Sequence, residues 1–287
     1  MGSREVLGPA LELMLLATYY LARRIERADA INAGRAAAAH SRLHPESGAT
    51  FCEIGGGIAA FTAPGSPLTH AIGVGMNGPV TEADIEAIEI LYRERECPSV
   101  NIDLCPLADP SLAEVLGLRG YRAVEFNNAL ARRIARFDAW PGDGRVRQIG
   151  PDDFDLWART VMGGFFERSD PTPEEVGLGE TLCAMEDSAA FVAESDGAPA
   201  AGAAILITEG LAFLMGDSTL PRYRGRGLHR ALIEARLACA AARECDLAVA
   251  TTLPGTISQR NYQRCGFEIL YTKLNMQRDF EPRTPAV

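Results

Sequence analysis

The chain has 287 residues and a mass of 30.8 kDa, more than one minimal core needs and enough for two domains of ordinary size. A composition of 47% hydrophobic and 23% charged residues excludes a disordered or fibrous chain, and seven cysteines without a C-x-x-C pair exclude a disulfide or zinc framework. A net charge of -10, with an isoelectric point near 5.0, argues against nucleic acid as the partner of the whole surface. No run of about 20 uninterrupted apolar residues exists to span a bilayer. Leu7 to Ala22 comes nearest, but Pro9 and Glu12 break it, and it lacks the small-residue cleavage site of a secretory leader. The expectation is a soluble, cytoplasmic protein with no membrane partner.

In chain order, a helix is predicted over Leu11 to His40, then strands at Thr50–Ile54, Gly57–Ala63 and Thr69–Met76. Thr81 and Asp84 have capping-box spacing for a helix whose Ile85, Ile88 and Tyr92 face inward. A strand at Val100–Leu104, a short helix from Ser111 and a strand at Tyr121–Leu130 complete the first half. A turn-rich linker, Asp138 to Gly144, separates it from the second.

The second half repeats nearly the same order. A short strand at Arg145–Ile149 precedes a helix marked by Phe154, Trp157, Val161 and Phe165, and a second helix spans Glu174–Met185. Strands at Ala189–Glu194, Ala200–Thr208 and Leu211–Thr219 are separated by Asp196-Gly197 and Glu209-Gly210. These are hairpin turns, so the strands should be antiparallel neighbours. A helix begins near Gly227 with an apolar stripe of Leu228, Ala231, Leu232, Ala235 and Cys239, followed by a strand at Leu247–Thr252. A short helix, Ser258–Arg264, and a final strand, Phe267–Met276, end the pattern. Arg119-Gly120-Tyr121 before one last strand parallels Cys265-Gly266-Phe267 before the other, which suggests an internal duplication into domains at 1–140 and 145–287. The fold class is α/β (α+β): a mixed, mostly antiparallel twisted sheet flanked by helices, in two tandem copies.

The segment richest in chemistry is Pro221-Arg222-Tyr223-Arg224-Gly225-Arg226-Gly227-Leu228-His229-Arg230, between a strand and a helix. The first amides of a helix lack backbone acceptors and carry the positive end of its dipole. Two glycines allow a tight turn and close approach, and four arginines raise the local potential, so the segment suits a phosphate or pyrophosphate. A third glycine and a P-loop lysine are both missing, which disfavours a dinucleotide or ATP. The same segment admits a plain reading as a turn with solvated arginines.

This loop resembles the acetyl-CoA loop of the GNAT superfamily of N-acetyltransferases, whose pattern is Arg/Gln-x-x-Gly-x-Gly/Ala. The flanks Pro221-x-Tyr223 and Arg230-Ala231-Leu232-Ile233 favour the register Arg224 to His229, in which His229 replaces a small residue. The register Arg222 to Gly227 satisfies the motif fully with poorer flanks. Ser258-Gln259-Arg260-Asn261-Tyr262-Gln263-Arg264-Cys265-Gly266-Phe267 resembles the family's closing helix and its Gly-Phe signature. The likeness covers roughly Arg145 to Arg278.

The resemblance implies an acyltransferase that moves an acetyl group from acetyl-CoA, as co-substrate, to a primary amine of a small molecule or protein, without a metal. It implies that Asp217, Ser218 and Thr219 hold the pantetheine arm through their backbone, and that Arg224, Gly225, Arg226, Gly227, Leu228, His229 and Arg230 take the pyrophosphate. Ser258 and Asn261 would bond the pantetheine amides or serve as caps. Tyr262 stands where many members place the acid that protonates the leaving thiolate, or else it packs under the last strand. No general base stands out among Asp217, Glu209, His229, Glu167 and Asp170, and Cys239, Cys245 and Cys265 read as ordinary buried thiols. In the first half, Met76-Asn77-Gly78-Pro79-Val80-Thr81 carries a proline and no arginines at the loop position, and Leu116 replaces the phenol. That half should therefore have lost the coenzyme and should cover a sheet edge or shape the acceptor site. A non-catalytic acyl-CoA sensor is the alternative function, and a monomer or a homodimer is compatible with the sequence.

Overall fold

Asp196-Gly197 and Glu209-Gly210 take positive φ at both residues, 56° and 75°, then 51° and 76°, the geometry that returns a chain on itself as a tight hairpin. The computed structural model describes residues 15–134 and 142–280. Residues 11–14 of the expected first helix and 138–141 of the expected linker lie outside them. The first half contains α1 (Tyr19–Leu43), β1 (Thr50–Ile54), β2 (Gly57–Phe61), β3 (His70–Ile72), α2 (Glu82–Arg93), β4 (Ser99–Leu104), α3 (Pro110–Leu118) and β5 (Arg122–Arg133). The second contains β6 (Val146–Gln148), α4 (Phe154–Phe165), α5 (Pro173–Cys183), β7 (Ser188–Ser195), β8 (Ala198–Thr208), β9 (Leu211–Thr219), α6 (Leu228–Ala242), β10 (Leu247–Thr252), α7 (Ile257–Arg264) and β11 (Glu268–Asp279). The strand expected over 69–76 ends at Ile72, because Gly73 and Gly75 adopt φ of 74° and 77° and turn the chain. No helix among the described residues is long and apolar enough to cross a membrane.

The strands form one eleven-stranded sheet in the order β1-β2-β3-β4-β11-β5-β10-β9-β8-β7-β6. Pairing is antiparallel except at β3/β4 and β9/β10, one parallel step in each half. The centre was not foreseen: each half lends its last strand to the other. β5 lies between β10 and β11, with Asn128 opposite Thr252, while β11 lies between β5 and β4, with Leu274 opposite Leu104.

Helices cover both faces of the second half. α6 sets Leu228, Leu232, Ile233 and Leu237 against Phe191, Ile205 and Leu214, and α4 sets Trp157 and Val161 against Val192 and Ala204 on the other face. α1 is wedged between the two wings of the sheet. Its Ile25, Ala28, Ala36 and Ala39 meet Leu206, Leu211, Phe213 and Val249, while Ala30, Ala33 and Ala37 meet Ala60 and Ile72. A helix buried on both sides needs small side chains, which accounts for its alanine-rich sequence. Arg24 bonds Asp246 at 2.6 Å, and Arg35 donates to Ile207 O at 2.9 Å, tying α1 to the second half.

One polar cluster lies beneath α1. Lys273 of β11 is buried, with Nζ 2.8 Å from Asp29, 3.2 Å from Asp103 and 3.8 Å from Glu26, and Tyr271 donates to Glu26 at 2.9 Å. Burial pushes the Glu26 carboxyl up to about 7 against the pull of Lys273, and its Oε2 finds no partner among the described residues. The folded protein therefore binds a proton that the unfolded chain releases above its ordinary carboxylate value. Stability contributed by this group is present at pH 4–5 and is lost as pH rises to about 7. Glu26→Gln should flatten that fall by about 2 kcal/mol, read as a smaller difference between urea midpoints at pH 5 and pH 8. An identical pH dependence in the two proteins would remove Glu26 from this role.

Candidate acyl-donor site

β9 and β10 pair in parallel from Leu211/Leu247 to Leu214/Ala250 and then separate. On its other side β9 carries a bulge: Ala204 of β8 faces Met215 while Gly202 faces Ser218, so Gly216 and Asp217 form the extra loop of strand. Gly216 has φ of 65° and lies against the Trp157 ring, which a Cβ would approach to 3.1 Å. A gap thus opens beside Asp217, Ser218 and Thr219, between two strands that no longer bond each other.

At the end of β9, Gly225 and Gly227 both take φ of 79°, left-handed backbone that a side chain would strain, and Gly227 is the N-cap of α6. That helix start has neither a side-chain cap nor an acidic residue in its first turn, and among the described residues its first amides meet no acceptor. Every other α-helix among the described residues has at least one of the two. The first half shows the contrast. There α2 is closed by Thr81 and Asp84, whose side chains bond each other's amides at 2.8 and 3.3 Å, and the Asp84 carboxylate occupies the place an anion would take. Its gap is shut as well: Asp109 N donates to Gly75 O at 2.9 Å, and Met76 is buried.

The arginines of the loop are less free than their number suggests. Arg224 bonds Glu167 at 2.6 Å and the carbonyls of Thr219 and Gly164 at 3.2 Å. Arg226 bonds Asp196 at 2.5 Å, and Arg230 bonds Glu234 at 2.7 Å. Arg222 lies over the Tyr223 ring and faces solvent. Exposed ion pairs of this kind are weak, so an arriving anion can compete for these side chains, but the fixed positive element is the helix start.

Behind the gap lies a network centred on Asp217. Its carboxylate receives the Tyr262 hydroxyl at 2.6 Å, His229 Nε2 at 3.1 Å and Arg236 through both terminal nitrogens, one of them at 3.1 Å. Asn261 Nδ2 meets His229 Nδ1 at 2.9 Å, which leaves the ring proton on Nε2 to donate to Asp217. Burial alone would raise the Asp217 carboxyl. The Arg236 guanidinium, followed by His229, overrides burial and holds it well below the usual carboxylate range. Tyr262 is 1% exposed, and burial, reinforced by the Asp217 charge against the opposing Arg236, lifts its phenol well above 10.

The structure thus brings Asp217, His229, Asn261 and Tyr262 together and sets Ser218 and Thr219 along the gap. Ser258, half-buried on α7, makes no side-chain hydrogen bond among the described residues. Glu209 lies at a hairpin tip on Arg27 at 3.0 Å, and Asp170 is exposed near Arg159. Cys239, Cys245 and Cys265 are free thiols that burial pushes up, as expected of inert cysteines. Sequence reasoning missed Arg236. The available signal was a cation inside an apolar helical stripe, four residues after Leu232 and next to Leu237.

A splayed parallel strand pair, a bulge and an uncapped helix start at the strand's end define an acetyltransferase fold of the GNAT type. Residues 157–267 match the model of the Acetyltransferase (GNAT) family, so that stretch is similar to a GNAT acetyltransferase domain. Among solved structures, a GCN5-related N-acetyltransferase from Kribbella flavida is 20% identical with a TM-score of 0.59, over 87% of this chain and 96% of that one. A tandem GNAT protein from the clavulanic acid biosynthesis pathway, solved without AcCoA, is 16% identical with a TM-score of 0.57, over 94% and 98%. A GCN5-related N-acetyltransferase from Sphaerobacter thermophilus is 16% identical with a TM-score of 0.51, over 69% and 67%. At these identities the likeness is one of fold, and it extends the tandem GNAT arrangement across most of the chain. No curated protein matches this sequence.

Proposed function

We propose that the second half binds acetyl-CoA and transfers its acetyl group to a primary amine. The observation that carries this reading is the uncapped α6 start, aimed from left-handed Gly225 and Gly227 at the mouth of the β9/β10 gap. The amides of residues 225–230 would take the pyrophosphate, helped by Arg222 and by the arginines that exchange a carboxylate for it. The pantetheine arm would run along Asp217, Ser218 and Thr219, and a free N–H of the splayed strand would polarise the thioester carbonyl.

The neutral amine attacks that carbonyl carbon, the nitrogen of the tetrahedral intermediate gives up a proton to water, the intermediate expels the thiolate, and the thiolate takes a proton. Asp217 makes a poor base, since its charge is held by a guanidinium, and Glu167 and Glu209 are engaged with arginines. His229 has Nδ1 against Asn261 and Nε2 on Asp217, and Asp170 is exposed near Arg159, so on this reading the acceptor sheds its proton to water before attack. Tyr262 stays protonated across the working range, so it is a loaded donor for the sulfur once its hydroxyl turns from Asp217. Tyr262→Phe should lower kcat about 100-fold while changing acetyl-CoA affinity little. An unchanged kcat would make Tyr262 a packing residue.

The reading is tested by thiol release from acetyl-CoA across a panel of small amines and amino-terminal peptides. Release dependent on one amine class supports it. Binding of CoA without release by any amine assigns the protein to acyl-CoA sensing instead.

A further inference from the structure

Arg236 is 0% exposed, in the middle of α6. Its Nε donates to Leu232 O at 3.1 Å, and Nη1 donates to Ala204 O at 3.0 Å and Met215 O at 3.4 Å as well as to Asp217. Ala204 and Met215 are the pair at which the β9 bulge begins. One guanidinium therefore bonds both strands where the bulge starts and the carboxylate that protrudes from it. That carboxylate in turn holds Tyr262 of α7 and His229 of the first turn of α6.

A buried ion pair is a poor way to gain stability, because desolvating two charges offsets most of their attraction, and well-packed apolar residues often serve as well. Fixed geometry is what such a pair supplies. In the first half the equivalent gap is closed by the Asp109–Gly75 backbone bond.

We infer that Arg236 and Asp217 are positioning residues: they lock the β9 bulge, the Tyr262 hydroxyl and the His229 ring in one arrangement, and thereby set how a thioester in the gap is presented to the amine. The inference rests on the acetyl-CoA reading of the site. Neither residue bonds the reacting atoms through its side chain; both act through the strand and through Tyr262.

The test uses the full chain with both residues changed, Arg236→Met with Asp217→Asn, so that no charge is left buried alone. The melting temperature should stay within a few degrees of wild type, and CoA affinity by calorimetry should fall less than kcat, since the pyrophosphate grip lies elsewhere although the pantetheine arm runs along the Asp217 backbone. The kcat for thiol release should fall at least tenfold. Asp217→Glu provides a second variant that keeps the ion pair and moves the anchor of Tyr262 by one methylene; it should show the same split between kcat and affinity. If either folded variant keeps the wild-type kcat, the pair is only structural and the inference is overturned alone. A wild type that binds no CoA, or binds it without releasing thiol to any amine, overturns the functional reading and this inference together.

Discussion

Gly227→Pro should lower acetyl-CoA affinity at least 100-fold and leave most of the fold standing. Gly227 has φ of 79°, a value closed to proline, whose ring fixes φ near −65°. The chain must then rebuild the turn that aims the α6 amides, and the amide of residue 227 itself is lost. Hydrogen bonds to a charged group are worth about 1.5–3 kcal/mol each, so misplacing two of them accounts for two or more powers of ten. Nothing lies within 4 Å of a Cβ built at this position, so the strain stays in an exposed loop. Calorimetric titration with CoA and a thermal melt measure the two effects separately. Affinity retained within threefold would mean that the pyrophosphate sits elsewhere.

Residues 142–287 expressed alone should fail to give a stable monomer, although they contain the whole candidate donor site. β11 has two neighbours in the sheet, β4 and β5, and both come from the first half. Without them β11 has no strand partner, and β10 exposes the edge that β5 covers from Asn128 to Arg133. An unpaired, largely buried edge of this kind invites aggregation or exchange between copies. The same fragment produced together with residues 1–134 should recover a soluble one-to-one complex, detectable by size exclusion and far-ultraviolet circular dichroism. A monomeric fragment with a wild-type melting temperature would show that the shared strands are dispensable.

Much of the candidate site's backbone geometry was legible because its signals are local. Glycines that must take positive φ, a helix start without a cap, the Thr81–Asp84 box and two hairpin turns are each written within a few residues. The strand exchange at the centre was not legible. A strand's sequence records which face is buried but not which distant strand it bonds, so β5 and β11 read correctly as strands without revealing their partners. The arginine loop misled in degree, because Glu167, Asp196 and Glu234 reach it from elsewhere in the fold or from the next helical turn. Arg236 and Lys273 look alike in sequence, each a cation in an apolar setting. Only the fold shows the carboxylates that make their burial tolerable.

Lys273 is the one lysine in a chain whose remaining basic side chains, apart from four histidines, are all arginines. Its ammonium is sealed under α1 by Asp29, Glu26 and Asp103, and although burial alone would lower its proton affinity, these carboxylates raise it well above the ordinary value. The folded molecule accordingly offers no lysine nucleophile to an activated ester or thioester. Reagents that tag or crosslink ε-amino groups find no lysine handle on it, and adventitious self-modification at lysine is closed off by composition and packing together.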